Sequence, residues 1–230
     1  MRSYKCVFFD LDHTLWDYDT NSAETLEELF QQHRLHEKGI DSVNFLKTFI
    51  EINTHLWDQY DTGKIHRDVI RNERFHRILV ALGVDDYDFS LTLSNEYVSE
   101  SPKKGGLIPN AIEVLDHLTS KYPITIITNG FDEIQSTKLA SSGITHYFQS
   151  VVTSARAGHK KPAKEIFEFA LAENGFQASD AIMIGDNLLT DIAGARNAFI
   201  DTVFFNPNKI SHQDKVNYEI HDLAELKNLI

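Results

Sequence analysis

Two acidic residues, Asp10 and Asp12, directly follow a short apolar run near the start of the chain. A continuous apolar run such as 6–9 is typical of a strand buried on both faces in a parallel sheet, which places Asp10 at the strand's carboxyl end. Two close carboxylates repel, and burial raises the cost of keeping both ionised unless a cation lies between them. The pair therefore indicates a divalent-metal site, although an isolated D-x-D is more often a solvated turn.

Further polar groups follow three later segments of the chain: Thr128-Asn129-Gly130, Lys161-Pro162, and Gly185-Asp186 with Asp191 five residues on. In a parallel sheet the carboxyl ends of all strands open on one edge, so these groups can converge with the first two acids. Each motif alone is more often an ordinary turn or helix start. Together and in this order, the acids, hydroxyl, amide and lysine favour phosphoryl transfer through a covalent intermediate.

Each acid can then be given a role. Asp10 is the predicted nucleophile, and a Mg²⁺ ion bound by Asp10, the backbone carbonyl of Asp12 and Asp186 neutralises the charge that would repel a phosphate. The Asp12 side chain is predicted to protonate the leaving group and then to accept a proton from water. Asp191 is predicted to orient Lys161 or metal-bound water.

The phosphate itself is expected to contact the second and third motifs. Thr128 offers a hydroxyl, and the amides of Asn129 and Gly130 open toward a following helix whose dipole favours anions. Lys161 offers a compact cation for the phosphate oxygens.

The elements that position these residues fall into two groups. Residues from about 21 to 100 show helical periodicity throughout and predict a four-helix cap over 17–100, inserted after the first strand, where it is placed to act as a lid. Strands and helices alternate over 101–230, which with 1–16 predicts an α/β core, a Rossmann-like parallel sheet with helices on both faces. A helical subdomain that only stabilises or dimerises the protein is the alternative for the cap.

The composition of the chain argues against some classes of binding partner. The 230 residues carry 22 basic and 34 acidic side chains, a formal charge of -12, which argues against a nucleic-acid polymer or an anionic membrane as partner. Cys6 is the single cysteine, so no intrachain disulfide can form. No secretory or bilayer-spanning pattern is found, and we expect a cytoplasmic monomer or homodimer acting on a small phosphorylated metabolite.

The four motifs resemble those of the haloacid dehalogenase-like hydrolase superfamily: 9–15 (FDLDHTL), 127–130 (ITNG), Lys161-Pro162 and Gly185-Asp186-x4-Asp191. The resemblance covers the whole chain and implies a Rossmann-like core with a helical cap. It also implies a phosphatase rather than a dehalogenase, because the dehalogenases lack the acid at Asp12. His13 stands where glycine is commoner in the family.

Within the superfamily the chain is most similar to the pyrimidine 5'-nucleotidases, through 12–15, 56–60 and 126–131. The resemblance implies a nucleoside 5'-monophosphate as substrate. Trp16, Trp57 and Tyr60 are then candidates to stack on a base, and three cap arginines are candidates to contact a sugar or phosphate: Arg67, Arg71 and Arg74. Packing within the cap is the alternative for each of these side chains.

Three other functions stay open at this point. A phosphosugar phosphatase or mutase would use the same aspartyl phosphate. A non-catalytic binding protein on this scaffold would be expected to have lost at least one motif, and none is missing. An acidic helical adaptor would act through the cap surface and would not need Asp10.

Overall fold

The computed structural model describes residues 4–230, which divide into two compact units. Residues 4–18 and 105–230 form one unit, called here the sheet unit, and Asp19–Lys104 form the other, the helical unit. The helical unit begins two residues later and ends four residues later than the cap predicted over 17–100.

The sheet unit is built on six parallel strands in the order β3-β2-β1-β4-β5-β6. The strands are β1 Cys6–Phe9, β2 Ile124–Thr128, β3 Ser150–Thr153, β4 Ala181–Gly185, β5 Asp201–Phe205 and β6 Tyr218–Ile220. The predicted α/β fold with a Rossmann-like parallel sheet is confirmed. Strand order reverses between β1 and β4, and the crevice at such a point, outside the carboxyl ends of the strands, is where ligands bind in open α/β sheets.

Alternation along β1 explains the layers on the two faces of the sheet. Val7 and Phe9 pack in one apolar cluster, while Cys6 and Phe8 pack in another, because successive strand residues point to opposite faces. All four residues are buried, as the continuous apolar run predicts for a central strand. The central strand is therefore enclosed on both faces, and its carboxyl end is the place where its polar residues begin.

The helical unit contains the four predicted helices: α1 Tyr18–Gln32, which begins at the last residue of the sheet unit, α2 Ser42–Asp61, α3 Arg67–Ala81 and α4 Tyr87–Glu100. Their breaks lie near Gly39, Gly63 and Gly83, each with positive φ, where a side chain would be strained. Asp41 and Asp86 cap the second and fourth helices by accepting hydrogen bonds from backbone amides. An aromatic and aliphatic cluster that includes Phe45, Phe49 and Phe75 forms the core of this unit.

The helices of the sheet unit follow the strands. They are α5 Ala111–Thr119, α6 Asp132–Ser141, α7 Ser154–Ala157, α8 Lys164–Asn174, α9 Gly194–Asn197 and α10 Leu226–Leu229. Residues of α5 and α10 pack with the cluster on one face of the sheet, and residues of α8 and α9 with the cluster on the other. Helices therefore cover both faces, as predicted.

Several elements differ from the sequence-based expectation, among them the short helices α7 and α10, which were not predicted. The helix predicted over 188–198 is a π-helical turn at Leu188–Ala193 followed by the short α9. Strand β6 was not predicted, because only three residues form it and they come after a polar stretch. Within residues 4–230, no helix combines the length and the apolar character needed to cross a bilayer.

Candidate active site

The carboxyl ends of β1 and β4 bring Asp10 and Asp186 together. The two strands are neighbours, and the backbone amide of Asp10 donates to the carbonyl of Ile184 at 2.9 Å. The buried Thr14 hydroxyl donates to Asp186 Oδ1 at 3.1 Å and lies 3.5 Å from Asp10 Oδ2, so one hydroxyl bridges the two acids. Carboxylate oxygens of Asp10, Asp186 and Asp191 all lie within 4.8 Å of one another.

A buried lysine lies against the same acids. The Lys161 ammonium donates to Asp10 Oδ1 at 2.5 Å and to Asp191 Oδ1 at 2.6 Å, and its side chain is 3% exposed. Its backbone is held by Asn129, whose amide nitrogen donates to the Lys161 carbonyl at 2.9 Å and whose amide oxygen accepts from the Lys161 nitrogen at 2.8 Å. This double hydrogen bond joins the loop after β2 to the loop before α8, and it fixes the lysine beside Asp10.

The cluster has more negative than positive charge. Three carboxylates face one ammonium, which leaves two uncompensated negative charges when all are ionised. Burial raises the pKa of Asp10 to about 7, against the opposing effect of Lys161, and burial together with the charge of Asp10 raises the pKa of Asp186 to about 6. Burial also raises the pKa of Asp191. Each of these carboxyls is therefore easier to protonate than an ordinary one.

The same surroundings favour the charged form of Lys161. Burial lowers the pKa of Lys161, but the adjacent Asp10 and Asp191 carboxylates outweigh it and leave that pKa above its usual value. Lys161 therefore stays charged at neutral pH. A divalent cation beside the three acids would further favour their ionised forms.

The donor set fits a hard divalent cation. Its atoms are carboxylate oxygens only, which suit Mg²⁺, and two positive charges would balance the two left over. Asp10 and Asp186, both predicted as ligands, lie in this cluster, and Asp191 joins them. The Asp12 side chain pairs with Lys138, Nζ to Oδ1 2.5 Å, and the metal ligand predicted for this residue is its backbone carbonyl.

Close packing at the end of β4 brings Asp191 into the cluster. A Cβ added to Gly185 would overlap the Asp191 side chain, so glycine is required for this approach. Asp191 also accepts a hydrogen bond from the Asn187 amide at 3.1 Å, within the π-helical turn. The turn that replaced the predicted continuous helix therefore helps to place this acid.

The loop after β2 is more self-contained than predicted. The Gly130 amide, a predicted phosphate donor, donates to Thr128 Oγ1 at 3.0 Å, and the Asn129 side chain is committed to Lys161. The Thr128 hydroxyl hydrogen remains available to a ligand, because Oγ1 acts there as an acceptor. In this arrangement Asn129 and Gly130 order the loop, and their predicted contact with phosphate remains a prediction.

His13 adopts a left-handed backbone with φ 63°. This region favours glycine, which explains why glycine is the commoner residue of the family at this position. The imidazole packs against Tyr18 with the ring centroids 4.8 Å apart. Its position near Asp186 lowers the pKa of that carboxyl, an effect smaller than those of burial and Asp10 that raise it.

The three aromatic candidates for base stacking have different surroundings. Trp16, predicted as a cap contact of the substrate, lies in the sheet unit. It is 0% exposed, so its ring has no face open to a base. Trp57 and Tyr60 lie in the helical unit, where their rings pack edge to face at 5.6 Å beside Leu56 and Ile70. The roles of Trp57 and Tyr60 remain predictions.

Two buried residues of the site were missed by the sequence interpretation. Thr14 belongs to the first motif but has no predicted role, because a hydroxyl four residues after Asp10 is the only signal that the sequence offers. Lys138 lies on α6, and its buried positions 135, 138 and 139 follow the helical i, i+3, i+4 spacing. A lysine on an inward-facing helix stripe was the available signal for its role.

Known proteins resemble this chain over almost its whole length. The family model of the haloacid dehalogenase-like hydrolases matches residues 7–205. Pyrimidine 5'-nucleotidase PynA of Streptococcus pneumoniae is 32% identical over 228 residues, covering 97% of this chain and 93% of that protein. Ribulose-1,5-bisphosphate 5-phosphatase of Halopiger xanaduensis is 32% identical over 242 residues, covering 97% of this chain and 98% of that protein.

A solved structure shares both units. The HAD-hydrolase YfnB of Bacillus subtilis, bound to magnesium, matches with a TM-score of 0.88 and 29% identity, covering 99% of this chain and 98% of that chain. The relatives act on different phosphorylated compounds according to their names, so the substrate is not set by similarity alone.

Proposed function

The chain belongs to the haloacid dehalogenase-like hydrolase family, and on this premise we propose that it is a magnesium-dependent phosphatase of nucleoside 5'-monophosphates. One observation carries the proposal. Asp10, at the carboxyl end of the central strand, lies 2.5 Å from the buried Lys161 ammonium and beside two further carboxylates. A nucleophile, a phosphate-balancing cation and metal ligands are therefore present in one cluster.

Asp10 begins the reaction as the nucleophile. One of its carboxylate oxygens forms a bond to phosphorus as the bond from phosphorus to the ester oxygen breaks, and the Asp12 carboxyl gives its proton to the departing alkoxide. Lys161 and the Thr128 hydroxyl balance charge on the phosphoryl oxygens. The products of this half are an alcohol and an aspartyl phosphate on Asp10.

Water completes the reaction. Asp12, now a carboxylate, accepts a proton from the water that attacks phosphorus, and the bond between phosphorus and the Asp10 oxygen breaks. Inorganic phosphate leaves, Asp10 is regenerated as a carboxylate, and Asp12 is again protonated. Asp10, Asp186 and the backbone carbonyl of Asp12 would hold Mg²⁺ with Asp191 beside them, and the ion would supply positive charge that lets a phosphate approach the acids.

The nucleotide substrate is supported by the similarity to pyrimidine 5'-nucleotidase PynA and by the aromatic pair Trp57 and Tyr60 in the helical unit. A sugar phosphate is the second candidate, because a relative of equal identity is named as a ribulose-1,5-bisphosphate phosphatase. Both candidates require the same chemistry at Asp10, so they differ only in the alcohol released.

Phosphate release from a panel of nucleoside 5'-monophosphates and sugar phosphates tests the proposal, measured with Mg²⁺ and with EDTA. We expect wild type to be active with Mg²⁺ only and to prefer nucleotides, and Asp10→Asn to lose at least about 10⁴-fold in kcat. Asp214→Asn, which removes an exposed loop carboxylate, is the matched control and should match wild type.

Equal phosphate release by wild type and Asp10→Asn, or release unaffected by EDTA, would contradict the mechanism. A panel dominated by sugar phosphates would keep the mechanism and replace the nucleotide with the second candidate. Conversion of a sugar phosphate to its isomer without net phosphate release would indicate a mutase.

A further inference from the structure

Lys138 forms a second buried ion pair at the site, separate from the Asp10 cluster. Its side chain is 6% exposed, and its ammonium lies 2.5 Å from Asp12 Oδ1. The residue belongs to α6, which follows the Thr128 loop, so the contact links the second motif to the acid of the first. No role is given to Lys138 by the four sequence motifs.

The surroundings of the ammonium are aromatic. Its nitrogen lies 4.2 Å from the centroid of the Trp16 ring and 5.7 Å from that of Tyr18, both within cation–π range. Trp16 is fully buried and is paired through its backbone with Asp12 on one side and Leu107 on the other. The lysine therefore rests on a ring that is enclosed by packing, and this ring and Asp12 together restrict the position of its ammonium.

The two carboxylate oxygens of Asp12 are in different situations. Oδ1 accepts the hydrogen bond from Lys138, whereas among residues 4–230 none donates to Oδ2. The Asp12 side chain is 24% exposed, so it is partly open to solvent while Lys138 is not. One oxygen is clamped and the other is available to exchange a proton.

We propose that Lys138 is a positioning residue that clamps Asp12 through Oδ1, so that Oδ2 is presented to the leaving oxygen and then to water. The inference rests on the proposed phosphatase mechanism, in which Asp12 carries the proton. The clamp also keeps the Asp12 side chain away from the metal ligands, because Oδ1 is bound to an ammonium. Trp16 acts as the platform beneath Lys138 rather than as a base-stacking residue.

A leaving-group comparison tests this role. Uridine 5'-monophosphate releases an alkoxide that must be protonated, whereas p-nitrophenyl phosphate releases a stable phenolate that needs no acid. The ratio kcat/KM covers the steps up to departure of the alcohol, so it reports the acid role of Asp12 and excludes the later hydrolysis of the aspartyl phosphate.

The variants are Lys138→Met, which keeps the length of the stem, and Lys138→Arg, which keeps the charge. We expect Lys138→Met to lower kcat/KM for uridine 5'-monophosphate about 100-fold, and for p-nitrophenyl phosphate less than about 5-fold. Lys138→Arg should restore most of the loss. Lys164→Met, which removes an exposed lysine paired with Glu168 at 2.6 Å, is the matched control and should match wild type.

Circular dichroism and thermal melting verify folding, and Lys138→Gln replaces the Met variant if that protein does not fold. An equal fall in kcat/KM with both substrates, or no fall with either, would overturn the clamp.

The phosphatase proposal is judged separately, by comparing wild type with Asp10→Asn. If wild type is inactive or Asp10→Asn is active, that proposal fails first. If both behave as expected and Lys138→Met matches Lys164→Met, only the clamp fails.

Discussion

Asp10 and Asp12 are two residues apart, and each lies against a buried lysine, yet their surroundings differ in charge. Around Asp10, three carboxylates face the single ammonium of Lys161. Around Asp12, one carboxylate faces the single ammonium of Lys138, which rests on aromatic rings. The first cluster has a surplus of negative charge, whereas the second is balanced.

In the proposed mechanism, this difference in charge suits Asp10 and Asp12, two chemically identical side chains, to different roles. A surplus of buried negative charge makes ionisation costly and favours a divalent cation, which suits a nucleophile that must meet an anionic phosphate. A balanced pair needs no metal and holds its carboxylate in one orientation, which suits proton transfer. In the proposed mechanism, the neighbours that follow β4 and lie on α6, rather than the acids themselves, distinguish the nucleophile from the proton carrier.

Removing each lysine in turn should give the largest contrast. Lys161→Met leaves buried carboxylates without their cation, and we expect a loss of about 3–5 kcal/mol in the free energy of unfolding. Lys138→Met leaves a partly exposed carboxylate, and the expected loss is about 1 kcal/mol. Urea unfolding of the metal-free proteins measures both values, and equal losses would show that the two clusters do not differ in charge balance.

Removing one acid from each cluster should separate metal binding from proton transfer. Asp191→Asn is expected to weaken Mg²⁺ binding by about 10–100-fold, because it removes a carboxylate that lies against Lys161 and within reach of the ion. Asp12→Asn should leave Mg²⁺ affinity nearly unchanged, since its side chain faces Lys138. Isothermal titration with Mg²⁺ compares them, and similar weakening in both would place the Asp12 side chain on the metal.

A smaller effect than the loss expected for Lys161→Met is a pH-dependent stabilisation by magnesium. The pKa of Asp10 is raised to about 7 and that of Asp186 to about 6, so the folded metal-free protein binds more protons than the unfolded chain between about pH 4 and pH 7. Its stability should therefore fall as pH rises through this window. Mg²⁺ binds the ionised carboxylates, so its effect should grow over the same range.

Thermal melts at several pH values, with and without the ion, measure this effect. At about ten times the dissociation constant, Mg²⁺ should add about 1.4 kcal/mol above pH 7 and much less near pH 5. A stabilisation that is independent of pH would mean that the acids are already ionised in the metal-free protein.

The parts of the fold that follow from periodicity were predictable. The apolar run of β1 and the turn residues between the four helices of the cap are strong local signals, and both elements are present. Strand β6 was missed because pairing with β5 gives its three residues their conformation, and no local pattern records that pairing. The π-helical turn after β4 was missed because a π-helix differs from an α-helix in its backbone hydrogen bonds, which local sequence spacing does not distinguish.

The site was predictable as a set of residues but not as a set of contacts. Strand ends brought Asp10, Lys161 and Asp186 together in the sequence interpretation, because parallel strands share one edge. The double hydrogen bond from Asn129 and the pairing of Lys138 with Asp12 join residues 32 and 126 positions apart, and such partners are set by tertiary packing. Local sequence therefore identified the chemistry, and only the structure distinguished the two lysines.

The central claim is that Asp10 carries the phosphoryl group and Asp12 carries the proton. Acid quenching of Asp12→Asn during reaction with p-nitrophenyl phosphate, followed by mass spectrometry of its peptides, tests this most directly. This substrate needs no acid to leave, and the variant lacks the base that hydrolyses the intermediate. We predict one phosphoryl group on Asp10 in the variant, whereas a phosphoryl group on another residue, or turnover without any phosphorylated peptide, would contradict the account.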